Sequence, residues 1–449
     1  MALSPALGAT LPSVAGALLL AVAAALAWRA QRRNMGGRDA AVWIGASTLG
    51  SALPWIATGS LTSAVAVAGV AVAGTLLWGQ GGRPAVAGEE IYSGPLPGES
   101  GPWRYVAVGA GLGCAVATGF ACLPLVAPAI AALPPHRRRR AAAALALGLA
   151  AVVLAGATLF DGLWDPPRTA FSPALFLWAT VDLWVGRGLG LLIFFLPFAL
   201  ALGSSARGGE RRGLLTAVAA ALAIRVLAYP FDLGGAADLQ GNAAFAPLAA
   251  ALWFAPARPL GRWLPLGALV VALPLVLPSA LASFGAPPLP RAIAAPIDRA
   301  LAWLPIPTTQ AAPPATVGYE RDGARWLGAT PEVALARPSD MSIAGGRWGE
   351  LALLAPGALS SLRLAFEPST PATVELRGGE LGNTTFRPSG EEAIDLRLGA
   401  PARRHPVAWS AAPVAVYRLS LRVGTSEGRR YRFAPDLLRA AVPAAGESR

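Results

Sequence analysis

Hydrophobic residues come in long runs up to about residue 284 and in short alternating ones beyond it. The runs fall at 11–28, 40–57, 61–78, 105–132, 141–160, 186–203, 213–229, 243–256 and 264–283. Most approach the ~20 residues that an α-helix needs to cross the hydrocarbon core of a bilayer. The pattern predicts an α-helical polytopic membrane bundle of about eight or nine hydrophobic segments over residues 1–284. Prolines at 54, 124, 128, 197 and 274 predict kinks. The short run at 243–256, with Pro247 and Pro256, predicts a tilted or broken helix. No basic n-region of a cleaved signal precedes residues 11–28, which read as a retained helix.

Residues 285–340 are Pro-rich and predict a semi-rigid linker with one short interfacial helix over 291–304. Over 341–449 the period changes to two. Leu362, Leu364 and Phe366 alternate with polar or small residues, as on a half-buried strand. Strands are predicted at 350–354, 361–366, 372–377, 393–398 and 414–423, with Gly378-Gly379 and Ser389-Gly390 as turns. The expectation is a small all-β, sandwich-like domain.

Only 14% of residues are charged, against roughly 25% in soluble domains. All 37 basic residues are Arg, and the net charge of +12 falls mostly in the gaps between apolar runs. There it sets orientation and does not imply a nucleic-acid partner. His136 with Arg137, Arg138, Arg139 and Arg140 should be cytoplasmic. Alternation then puts 161–184 outside, 207–212 inside, 230–242 outside, 257–263 inside and the β domain outside. Arg29, Arg32, Arg33 and Arg38 also belong inside, yet three runs separate them from the block at 137–140. One run is therefore not a full crossing. Gly50 and Pro54 make 40–57 the expected exception.

Candidate chemistry is sparse. Asp161, Asp165 and Asp182 lie in one outer loop, and Asp232 and Asp238 in another. Converging carboxylates there would serve as general base or bind a divalent cation; the alternative is solvated loop acids. Glu89 and Glu90 lie in a loop whose side is open. Arg187 opens an apolar run, where it either snorkels to the interface or clamps a lipid phosphate. Gly186, Gly188 and Gly190, like Gly109, Gly111 and Gly113, suit close helix packing and not a nucleotide loop. Trp326, Trp348 and Trp409 are core anchors or sugar-stacking platforms. Cys114 and Cys122 stand about 12 Å apart along a helix, too far for a disulfide. The spans carry almost no mid-membrane charge beyond Arg225, which disfavours an ion-coupled transporter.

Several motifs together resemble bacterial membrane proteins of the GT-C glycosyltransferase type. They are Asp182-Leu-Trp-Val-Gly-Arg187-Gly-Leu-Gly, Phe194-Phe195-Leu-Pro197, and Gly234-Gly235 through Gly241-Asn242-Ala-Ala-Phe245-Ala-Pro247. Pro296-Ile-Asp-Arg-Ala-Leu-Ala-Trp-Leu-Pro305, Ala344-Gly345-Gly346-Arg347-Trp348 and Val416-Tyr417-Arg418 continue the likeness, which covers about residues 160–425. The resemblance implies transfer of a sugar from a polyprenyl-phosphate donor to an extracytoplasmic glycan or protein acceptor, in a bacterial cytoplasmic membrane. That chemistry needs an outer-face carboxylate as base, for which Asp161, Asp165 and Asp182 are the candidates in this chain. It also needs an Arg near the lipid phosphate, for which Arg187 is the candidate, with Asp232, Asp238 and Asn242 as further substrate-binding candidates. The resemblance itself carries over no catalytic residue. Two departures stand out. Ala243-Ala244 replaces the relatives' Arg-Tyr, and residues 1–28 lack the acid those enzymes place in their first outer loop. The alternative is a non-catalytic membrane scaffold or accessory subunit whose β domain binds a glycan or protein.

Overall fold

The computed structural model describes residues 5–78, 101–159, 173–203, 209–235, 241–256, 261–282, 296–297, 300–301, 304–310, 317–321, 324–328, 333–337, 340–357, 359–367, 373–378, 382–386, 393–397, 401, 403–407, 410–424 and 429–439. It divides into two compact units: Met1–Phe171 with Thr180–Arg291, and Ser172–Ala179 with Ala292–Arg449.

The first unit is helical. Its early helices are α1 (Pro5–Met35), α2 (Gly37–Leu49), α3 (Leu53–Gly59), α4 (Leu61–Trp78) and α5 (Trp103–Thr118). A 3-10 turn at Phe120–Leu125 leads into α6 (Val126–Ala131), followed by α7 (Arg138–Leu159) and α8 (Pro173–Val185), of which residues 173–179 fall to the second unit. Then come α9 (Leu191–Phe194), α10 (Leu196–Gly203), α11 (Gly209–Ala228), α12 (Ala246–Leu252) and α13 (Trp263–Ala282).

Among the described residues, three helices are long and apolar enough to cross a membrane: Leu11–Met35, Leu61–Trp78 and Arg138–Thr158. The bent pair α2 and α3 would make a fourth. Fewer single helices are thus of spanning length than the eight or nine apolar segments expected, and the reason is local. Pro54 starts α3 at a 57° bend, because proline lacks the N–H and collides with the preceding turn. Gly119 and Pro124 divide 105–132 into α5, a 3-10 turn and α6. The runs at 186–203 and 243–256 are likewise cut into short pieces.

Small residues bring the helices together. A Cβ on Gly109 would collide with the Leu145 carbonyl, and one on Gly148 with the Val106 carbonyl, so α5 and α7 pack backbone to backbone. Gly69 and Gly111 do the same for α4 and α5. Cys114 and Cys122 are free thiols.

The second unit contains two antiparallel sheets. The first has β1 (Val317–Arg321), β2 (Ala324–Gly328), β5 (Trp348–Ala355), β11 (Ser410–Val423), β7 (Val374–Gly378) and β8 (Gly382–Phe386) in that spatial order, with β10 (Arg403–Val407) also pairing with β11. The second runs β3 (Val333–Arg337), β4 (Asp340–Ala344), β12 (Arg430–Arg439), β6 (Leu359–Glu367) and β9 (Ala393–Arg397). Leu353, Tyr417 and Leu419 of one sheet share a core with Ile343, Leu364 and Phe433 of the other. That shared core makes the unit a sandwich.

Along β6, Leu362, Leu364 and Phe366 are buried, as the alternation predicts. The three strands at 317–337 occupy residues expected to be linker. Trp326 is fully buried in the core, Trp348 is half-buried, and Trp409 lies outside the described residues.

Candidate functional site

Three interruptions of helix meet in the first unit. Asp182 lies in the last turn of α8, and Arg187 two residues beyond its end; they are 3% and 4% exposed. After α8 the backbone turns tightly. The Gly186 N–H donates to the Asp182 carbonyl at 2.9 Å and the Gly190 N–H to the Gly186 carbonyl at 2.8 Å. Gly188 has φ 81°, a left-handed conformation that costs a residue with a Cβ roughly 1–2 kcal/mol. Gly186, Gly188 and Gly190 therefore form a turn, which corrects their reading as helix-packing positions.

The second interruption precedes α12. Gly241, at φ 101°, donates its N–H to the Gly188 carbonyl. A Cβ on Gly241 would stand 2.5 Å from the Cβ of Ala52. Ala52 belongs to the third interruption, between α2 and α3, and donates its N–H to the Phe194 carbonyl at the end of α9 at 2.7 Å. Backbone groups freed by each break thus satisfy those of another, as an apolar setting without water requires. Aromatic rings lie beside the junction. Phe195 meets Phe245 edge-on at 4.8 Å, and Phe198 lies 6.1 Å from Trp43 and 6.4 Å from Trp253.

Of the sequence-predicted site residues, Asp182, Arg187 and Asn242 belong to the segments joined here. Asn242 is 1% exposed, and both ends of its side chain serve the backbone. Its amide donates to the Leu233 carbonyl at 2.8 Å and its oxygen accepts from the Phe245 N–H at 3.1 Å. This caps the 3-10 turn Ala243–Phe245 and holds the loop around Leu233 against it.

Asp232 is turned to other work. Its carboxylate lies 3.2 Å from Arg225 Nη2 and accepts from the Gly234 N–H at 3.0 Å. Arg225 stacks on Tyr229 at 4.8 Å. Asp161, Asp165 and Asp238 lie outside the described residues. Among the described residues no group of three His, Cys, Asp or Glu side chains could hold a metal.

An arginine keeps its charge under all ordinary conditions, so burying Arg187 demands compensation from acids or polar groups. Arg187 and Asp182 both take part in further interactions. A buried basic group beside a non-helical turn among apolar helices is a functional-site hypothesis by default.

A second polar cluster escaped the sequence reading. The Trp253 carbonyl, just past α12, accepts from Gln31 Nε2 at 2.6 Å and from Trp43 Nε1 at 3.1 Å. The Trp253 indole in turn donates to Ser47 Oγ at 3.0 Å. Ser47, a polar residue inside the apolar run 40–57, was the available signal; Gln31 lies in the polar gap just after the run 11–28. Asp39 pairs with Arg262 at 3.1 Å, which joins the first turn of α2 to the turn before α13.

Comparison with protein-family models, curated proteins and solved structures finds no match to this chain.

Proposed function

We propose that this chain is a multi-pass protein of a bacterial cytoplasmic membrane that handles a polyprenyl-phosphate-linked sugar at its extracytoplasmic face, in the manner of GT-C glycosyltransferases. The observation that carries the reading is the burial of Arg187 and Asp182 beside the junction of three broken helices. Discontinuous helices in membrane proteins gather at binding sites, because irregular backbone is tolerated only where protein or a cavity surrounds it. Arg187 would supply bidentate contacts to the lipid phosphate. Asp182 would act on the acceptor together with Asp161 and Asp165.

The proposed path has ten crossings. α1 descends to its Arg-rich end. α2 and α3 then climb until Ala57 lies against Gly16, a rise of roughly 28 Å from Met35 along α1. That nearly matches the ~30 Å hydrocarbon core, which supports a bent but complete crossing. α4 returns to the level of Phe254, against which Gly74 packs. α5 goes out again. The run 120–131 then comes back antiparallel to α11, with Gly119 near Arg225 and Pro128 near Gly213.

Residues 105–132 would thus cross twice. Four crossings would separate the arginines at 29–38 from those at 137–140, so both blocks stay inside. The Asp39–Arg262 pair supports the same side for the start of α2 and the turn before α13. α7, the broken stretch to α10, α11, the descent through α12, and α13 complete the path and leave the β unit outside.

The alternative, a non-catalytic scaffold, draws support from Asn242 and Asp232. Their side chains serve the loop itself.

Two measurements test these readings. In a variant without Cys114 and Cys122, Phe120→Cys in intact cells should react with an impermeant maleimide, and Arg137→Cys should not. A single crossing through 105–132 would instead leave position 120 unlabelled. Purified protein should retain undecaprenyl phosphate in native mass spectrometry, and Arg187→Ala should lower retention about tenfold. Equal retention in both would remove Arg187 from the site. Retention without sugar transfer in a complete reconstitution would favour the scaffold.

A further inference from the structure

We propose that the groove between α1 and α2 binds an anionic glycerophospholipid of the cytoplasmic leaflet, an inference that rests on the membrane reading above. The groove holds about 270 Å³ and is lined by Ala24, Ala25, Trp28, Ala41, Ile44 and Gly45. All of its lining residues are apolar or small, so it offers no hydrogen-bonding groups along its length. A Cβ placed on Gly45 meets nothing within 4 Å, so the space is open to an occupant.

One end of the groove is basic. The Arg32 guanidinium lies 5.2 Å from the centroid of the Trp28 ring that lines the groove. Trp28 is fixed there by its indole N–H, which donates to the Gly37 carbonyl at 3.1 Å. Arg29 and Arg38 are exposed in the same turns. Asp39, the one acid in this stretch, is committed to Arg262.

The other end continues as an apolar strip. Leu11, Val14, Leu18 and Val22 precede Ala25 and Trp28 at helical three- and four-residue spacing, and all four are exposed, from 51% to 64%. A cationic end joined to a long apolar face matches an amphiphile with an anionic head. Basic pockets between helices on the cytoplasmic side are suited to such lipids.

The test uses the full-length chain reconstituted in vesicles of equal dioleoylphosphatidylglycerol and dioleoylphosphatidylcholine, then released for native mass spectrometry. Wild type should retain the phosphatidylglycerol preferentially. Each of Arg29→Gln, Arg32→Gln and Arg38→Gln should weaken that retention about fivefold. Gly45→Leu fills the groove and should abolish retention while leaving the arginines intact. Ala41→Leu, at an exposed position, repeats the test if Gly45→Leu folds poorly.

Equal retention of the two lipids by wild type overturns the proposal. So does loss in the arginine variants without loss in the groove variants, which would indicate a diffuse basic surface. Resistance of the chain to alkaline carbonate extraction checks the membrane reading separately.

Discussion

The Trp43 indole N–H donates to the Trp253 carbonyl at 3.1 Å, across 210 positions of sequence. Gln31 donates to the same oxygen at 2.6 Å and to the Pro256 carbonyl at 3.3 Å. A helix as short as α12 leaves carbonyls without partners at its end, and α1 and α2 supply the donors from their side chains. Because two donors share one acceptor, their losses should not add. Gln31→Leu or Trp43→Phe alone should each cost about 1 kcal/mol. The double variant should exceed the sum of the singles, with a coupling of roughly 0.5–3 kcal/mol. Unfolding in mixed micelles containing SDS measures this, and strict additivity would refute the shared-acceptor account.

Gly241 meets two demands at once, a positive φ and close approach to Ala52. Gly241→Ala should destabilise the fold by about 1–3 kcal/mol from backbone strain, with the clash in addition. Ala52→Gly in the same chain should recover the clash part and leave the strain. No recovery in thermal unfolding would mean that the two breaks do not touch.

Asn242 and Asp232 separate a buried structural role from an exposed one. Asn242→Ala removes the amide donor to the Leu233 carbonyl and a cap, and should cost about 1–3 kcal/mol. Asp232 is 58% exposed, so Asp232→Asn should change stability by only about 0–1 kcal/mol despite its contact with Arg225. If Asp232→Asn proves the more damaging in denaturant titration, the loop is held by charge and not by the amide.

In the sandwich, Phe433 is 1% exposed and packs on Phe366 at 6.0 Å. Phe433→Ala should cost about 3–5 kcal/mol. Hydrogen exchange on the intact chain should then rise across β4, β6 and β12 together, since β12 pairs with both neighbours. Trp326→Phe should lower the stability of the same unit and leave any glycan binding unchanged, because the indole lies in the core. Altered glycan binding by a stably folded Trp326→Phe protein would return this residue to the surface.

Much of the architecture was legible from the chain alone. Run length and period are local properties, and they sufficed to separate apolar helices from alternating strands near residue 284. The alternation through Leu362, Leu364 and Phe366 fixed the buried face of β6 before any partner strand was known. The arginine blocks likewise give an expected side for each loop, because that signal belongs to each loop by itself.

What required the tertiary structure was every statement about breaks and pairs. Pro54 and Pro124 announced interruptions, but not that the chain after Gly119 lies alongside α11. The glycines at 186–190 looked like packing positions until Gly188 proved to accept from Gly241. That the Asn242 side chain clamps the backbone at both ends could not be read from the sequence, nor could the burial of Trp326 in the core. A hydrophobic pattern reports which residues avoid water. It carries no information about which distant carbonyl an orphaned N–H will reach, and that choice decided how Asp182, Arg187 and Asn242 came to the same junction.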